Sequence, residues 1–143
     1  SLFKKAFQER TITKEYRCIV HGIVAKDEGI IDRPIGIIKR SVRRSVFSKQ
    51  MQKAAMTQYE VIERFENTTY LKVFPKTGRT HQLRVHLASL GHPILGDTLY
   101  IRKKREPEAE RLLLHAHTIT FVFNDTSHTY TAPLPTLFAD YLK

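Results

Sequence analysis

The chain has little of what small disulfide-linked or metal-stapled domains depend on. A single cysteine, Cys18, stands in 143 residues, which excludes an internal disulfide and a multi-thiolate zinc site. Cys18 lies in an apolar run, where a thiol is expected to be buried and inert, and the scarcity of cysteine points to a reducing compartment. The seven histidines show no metal-ligand spacing. Tryptophan is absent, and glycine and proline number six each, so low-complexity and collagen-like readings fall away. No apolar run approaches the roughly 18 to 20 residues of a spanning helix, and the opening SLFKKAFQERTITKEY lacks a signal-peptide core. The protein is therefore expected in the cytoplasm. Acid is also scarce where base is dense: between Arg33 and Lys53 seven basic residues occur and no acidic one.

That imbalance extends to the whole chain, with 24 Lys and Arg against 14 Asp and Glu, a formal charge of +10. A phosphate-bearing partner is the first class to consider. Arg40, Arg43 and Arg44 are the candidates for contact with a nucleic-acid backbone. A length of 143 residues suits one domain with a real core.

The densest chemistry lies in Lys76 to Tyr100, KTGRTHQLRVHLASLGHPILGDTLY. Leu83, Leu87 and Leu90 recur at helical spacing, and Gly91 with Pro93 ends the helix. At about 100° per residue, Arg79, Gln82 and His86 flank this stripe on one side and Thr80 and Arg84 on the other, while His81 points away. Two readings stand at this level: a solvated helix face, or an anion-handling surface beside a cleft, since charge next to an apolar stripe needs a partner.

Elsewhere Leu2, Phe3, Ala6 and Phe7 share a face of a short basic helix, and Tyr16 to His21 form an apolar strand. Residues 23 to 56 read as a long basic excursion within the domain, ordered or disordered. Gln58–Phe65 and Thr69–Pro75 make the clearest hairpin, turning at 66–68. Thr118–Phe123 is a strand that Tyr130–Ala132 can pair antiparallel, and a short helix over Thr136–Lys143 closes the chain. The expected fold is α+β, with a mainly antiparallel mixed sheet and flanking helices.

Four segments in this order, TKEYRCIVHG (13–22), QKAAMTQYEVIE (52–63), TGRTHQLRVHLASLGHPILGDTLY (77–100) and RLLLHAHTITF (111–121), resemble the RluA-type pseudouridine synthases; the first and third of these are similar to that family's second and third signatures. The resemblance implies the C-terminal part of a pseudouridine synthase fold. It further implies an enzyme that isomerises particular uridines in structured RNA, ribosomal or transfer, without cofactor or metal. The base must leave its stack, which calls for an apolar or aromatic wall and for basic groups on the displaced backbone. Tyr16 matches the tyrosine that stacks on uracil and takes the C5 proton; by residue type alone it reads as a core tyrosine. Arg84 matches the arginine that pairs with the catalytic carboxylate, and Val85 is expected to wall the base. Arg79, Thr80 and His81 either contact RNA or support the site, and His86 and His92 are expected to be structural.

The family's first signature, His-Arg-Leu-Asp followed by Thr-Ser-Gly, carries the nucleophilic aspartate and does not occur in these 143 residues. Asp97 matches a turn or capping position and is not assigned as nucleophile. The chain is accordingly expected to be a C-terminal portion, inactive alone, with Arg84 lacking a carboxylate to orient. Apolar surface left by a missing sheet half would favour self-association. The competing reading is a noncatalytic basic RNA-binding module.

Overall fold

In the computed structural model, residues 12–143 are described, and the expected helix around Leu2 to Phe7 lies outside them. Eight strands, one α-helix and one 3-10 helix follow in the order β1 (Ile12–His21), β2 (Glu28–Asp32), β3 (Gly36–Ile37), β4 (Arg44–Ser45), β5 (Met56–Arg64), β6 (Thr68–Pro75), α1 (Gln82–Ser89), β7 (Leu114–Phe123), β8 (Thr126–Thr131) and the 3-10 helix Thr136–Tyr141. Six strands form one sheet in the order β2-β5-β6-β1-β7-β8, and β3 pairs with β4 alone. Every pairing is antiparallel among the described residues, so the sheet is not mixed.

The centre of the sheet is covered on both faces, which explains why β1 ends in an unbroken apolar run instead of alternating. Cys18 and Val20 of β1 join Leu71 and Val73 of β6 beneath Leu83 and Leu87 of α1. Ile19 and Tyr70 point the opposite way, into a second cluster with Leu95, Leu113 and Phe138 of the 3-10 helix. Burial pushes the Cys18 thiol pKa upward, so it is a small core hydrophobe.

After α1 the chain folds back against β1. Leu95 N–H donates to the Ile19 carbonyl at 2.9 Å and Leu113 N–H to the Leu95 carbonyl at 2.9 Å. The turn at Gly96 requires glycine twice over: its φ is 83°, and a Cβ there would collide with the Arg111 carbonyl. This turn delivers Asp97 to the side of α1.

Residues 23–56 are not a structureless excursion. β2 pairs with β5 from Glu28↔Glu60 to Asp32↔Met56 as an edge strand, and Ile31 is buried while Ile30 is exposed. The β3–β4 ribbon is tied to α1's neighbourhood by Arg44 N–H donating to the Tyr100 hydroxyl at 2.9 Å. The final helix is a 3-10 helix that ends at Tyr141, and the β7–β8 turn is the two-residue type formed by Asn124 and Asp125, both at positive φ.

Candidate active site

A cleft of about 650 Å³ opens where β1, the ends of β5 and β6, the 76–81 loop and the first turn of α1 meet. Its apolar walls are Tyr16, Met56, Phe74, Leu83 and Leu114, and its cations are Lys14, Lys76, Arg79 and Arg84. Tyr16 sits just after a register shift between Glu15 and Tyr16 in the β1–β7 pairing, opposite Ala116. Such an irregularity re-aims a side chain, and the small Ala116 leaves the ring room.

Arg84 leaves α1 beside the turn that carries Asp97. Its Nε and Nη2 donate to the two Asp97 carboxylate oxygens at 3.0 and 2.8 Å. Asp97 Oδ1 also accepts from the backbone N–H groups of Leu99 and Tyr100 at 2.9 and 3.1 Å. The carboxylate is fully buried, whereas Arg84 keeps a fifth of its side chain exposed. Burial alone pushes the Asp97 pKa up; the Arg84 hydrogen bonds, the two backbone donors and the guanidinium charge outweigh it and hold the group below its ordinary value. The guanidinium lies over the Tyr100 ring, 5.3 Å from its centroid. The Tyr100 hydroxyl in turn meets His81 Nδ1 at 2.8 Å.

Gln82 fixes the loop that precedes the helix. Its Nε2 donates to the Met56 carbonyl and to Thr57 Oγ1, each at 2.9 Å, while its Oε1 accepts from Thr77 Oγ1 at 2.6 Å and from Arg79 N–H at 3.1 Å. Every hydrogen-bonding position of the amide is used. Thr57 Oγ1 lies 2.8 Å from His86 Nδ1, and His86 Nε2 lies 2.8 Å from the Arg33 carbonyl. Only a neutral imidazole with its proton on Nε2 lets Thr57 donate to Nδ1 while Nε2 donates to Arg33. Burial lowers the His86 pKa, in agreement with that tautomer.

A family model described as RNA pseudouridylate synthase matches residues 1–89. The chain belongs to the RNA pseudouridylate synthase family. Its RluA-type character follows from similarity to the dual-specificity RNA pseudouridine synthase RluA of Escherichia coli strain K12, 41% identical over 133 residues that cover 91% of this chain and 61% of the relative. An uncharacterized RNA pseudouridine synthase of Helicobacter pylori strain J99 is 48% identical over 122 residues, covering 83% of this chain and 48% of the relative. Among solved structures, human RNA Pseudouridylate Synthase Domain Containing 1 superposes with a TM-score of 0.81 at 30% identity, over 95% of this chain and 61% of that one. The chain thus spans about half to three fifths of these relatives' lengths.

Of the residues singled out within the pseudouridylate synthase resemblance, Tyr16, Arg79, His81 and Arg84 line the one cleft. Thr80 and Arg44 line a neighbouring groove, and Arg40 and Arg43 are exposed on the β3–β4 excursion. Two expectations are corrected. Val85 is buried with Ile35 and Ala55, and Val46 and Tyr100 pack against that cluster; it lies outside the cleft lining. Val85 packs toward the excursion, and Leu83 of the same helix lines the cleft. Arg84, expected to lack a carboxylate, holds Asp97, which is brought beside it by the Gly96 turn. Gln82, Tyr100, Phe74 and Leu114 were not singled out for the site. Leu114 belongs to RLLLHAHTITF, one of the similar segments, which offered a pointer to it. Gln82 carried a weaker signal: a polar residue next to an apolar stripe has a polar partner when buried.

Proposed function

We propose that this chain forms the base-binding part of an RNA pseudouridine synthase acting on uridines in ribosomal or transfer RNA. The observation that carries the reading is the placement of Tyr16 and Arg84 on the walls of one cleft lined by both apolar and cationic side chains. A uridine turned out of its stack would present its ring to Tyr16 and Leu114 and its phosphates to Arg79 and Lys76. Conversion breaks the C1′–N1 bond, turns the ring and joins C1′ to C5. The C5 hydrogen then leaves as a proton, for which Tyr16 is the acceptor, and N1 gains one, so the product is an isomer.

Asp97 is not the nucleophile in this scheme, because its carboxylate is buried and occupied by four donors. The nucleophilic carboxylate comes from a His-Arg-Leu-Asp segment that is not among these 143 residues. Arg84 spends Nε and Nη2 on Asp97, which leaves Nη1 for that second carboxylate. Asp97 then orients the guanidinium, and the incoming aspartate is held ionised by it.

Tritium release from RNA carrying C5-tritiated uridine tests the scheme. The chain alone is expected to stay at background, and the chain fused behind the first-signature segment of the Escherichia coli relative is expected to release tritium. Tyr16→Phe and Arg84→Met in the fusion are expected to abolish release while RNA is still bound. Release by the chain alone would overturn the outside nucleophile, and a fusion that binds RNA but stays silent would favour the noncatalytic RNA-binding reading.

A further inference from the structure

Beside the cleft, the β3–β4 excursion and the loop before α1 enclose a second groove of about 280 Å³. Gly78 and Arg79 line both, so the two are contiguous around one arginine. The charged residues of the groove are Arg44, Lys53 and Arg79, with no carboxylate among its lining. Like charges gathered without an acid create a field that favours an anion. The groove also has an apolar part, from Ile37 and Met51.

Met51 is 71% exposed and sits at a φ of 47°, a backbone state that non-glycine residues seldom adopt. It contributes little to the core, yet the turn before it is clamped. Ile37 N–H donates to the Gln50 carbonyl at 2.9 Å, and Ser48 Oγ donates to the Ile37 carbonyl at 2.5 Å. Gly36 permits this close approach, because a Cβ there would run into the Ser48 carbonyl. The fold therefore holds a polarizable, adaptable side chain at a fixed place beside three cations.

We propose that this groove is a subsite for the nucleotide adjacent to the uridine in the main cleft, with its phosphate between Arg79 and the Arg44 and Lys53 pair and its base over Met51 and Ile37. A free phosphate would make no use of Met51, and an apolar ligand would make no use of three cations; a nucleotide uses both. The proposal rests on the reading of the main cleft as a uridine site.

Fluorescence anisotropy with the purified chain and RNA pentanucleotides centred on uridine tests it. An abasic residue replaces the central uridine or either neighbour. The wild type is expected to lose about tenfold in affinity when one of the two neighbouring bases is removed, the scale of a single stacked base. Met51→Ala is expected to bind the intact oligonucleotide about tenfold more weakly and to be indifferent to that removal. Gly36→Ala, which displaces the turn while Met51 is retained, is expected to show the same indifference. Loss on removal of the central base, with no response to either neighbour, overturns the subsite and leaves the uridine reading standing. A neighbour effect that Met51→Ala retains in full also overturns the subsite. Failure to bind any of the oligonucleotides overturns both.

Discussion

The Arg84 guanidinium meets Asp97 as a fork on a fork, Nε and Nη2 lying 3.0 and 2.8 Å from the two carboxylate oxygens. The pair joins the first turn of α1 to the Gly96 turn, and it fixes the direction of a side chain on the cleft wall. A planar guanidinium held at two points has little freedom left, so the position of Nη1 is set by Asp97 as much as by the helix.

Removing Asp97 leaves a partly buried cation without its partner and two backbone donors, of Leu99 and Tyr100, without an acceptor. Asp97→Ala is expected to lower the free energy of unfolding by about 3 kcal/mol, the lower end for a broken buried pair because Arg84 is partly exposed. Asp97→Asn keeps an acceptor for the backbone and is expected to cost less. Arg84→Met combined with Asp97→Leu is expected to recover part of the loss, since an apolar pair incurs no desolvation of charge. Urea denaturation measures all four proteins, and an Asp97→Ala variant as stable as the wild type would show that the fork carries no net stability.

Gln82, the first residue of α1, connects the loop 76–81 to β5 through four side-chain hydrogen bonds. Gln82→Met fills a similar volume but leaves the part-buried Arg79 N–H and Thr77 hydroxyl without their acceptor, at a cost of about 1 kcal/mol for each. The local consequence is the more telling. The Arg79 amide is expected to exchange its hydrogen faster relative to the sheet amides, because its acceptor is gone while the sheet remains. Equal slowing factors for Arg79 in both proteins would mean that the Arg79 to Ala54 contact, at 2.7 Å, holds the loop unaided.

The parts of the fold that sequence reasoning reached are those with a local cause. The β5–β6 hairpin follows from two β-rich runs around Glu66 and Asn67, and the end of α1 from Gly91, whose φ is 87° and whose N–H donates to the Ala88 carbonyl at 2.9 Å. The strand and helix patterns along the chain pointed to an α+β fold with a mainly antiparallel sheet, and the structure forms one. β2 escaped notice because it is a five-residue edge strand in which Ile31 is buried and Ile30 exposed, too short a pattern to stand out in a basic stretch. Helical spacing treats Gln82 as a flank of the stripe, but it is the first residue of α1 and its amide turns back onto Thr77 and Arg79. The Arg84–Asp97 pair depends on a return of the chain past β1, which no periodicity encodes.

Four histidines, His21, His81, His86 and His117, have pKa values lowered from the ordinary imidazole value, each with burial as the leading cause. The unfolded chain therefore takes up protons at a higher pH than the folded one. Above the ordinary value near 6.5 both states are neutral at these positions and stability is unaffected by them. As pH falls below it, the unfolded state binds more protons and stability declines, until the folded-state values are also passed. Asp97 adds a separate loss at lower pH: its folded-state value is depressed, so its contribution is full above the ordinary carboxylate range and vanishes as it protonates. The urea midpoint is expected to fall between pH 7.5 and pH 5.5. His86 is the position to isolate, since its protonated ring would turn Nδ1 into a second donor and leave the Thr57 hydroxyl, already accepting from Gln82 at 2.9 Å, with no acceptor. His86→Asn is expected to be less stable than wild type at pH 7.5, by about 1 to 3 kcal/mol for the groups left unpaired. Its stability is also expected to change less between the two pH values. A variant with the full wild-type pH dependence would assign that dependence to the other three histidines and would remove the tautomer argument for His86.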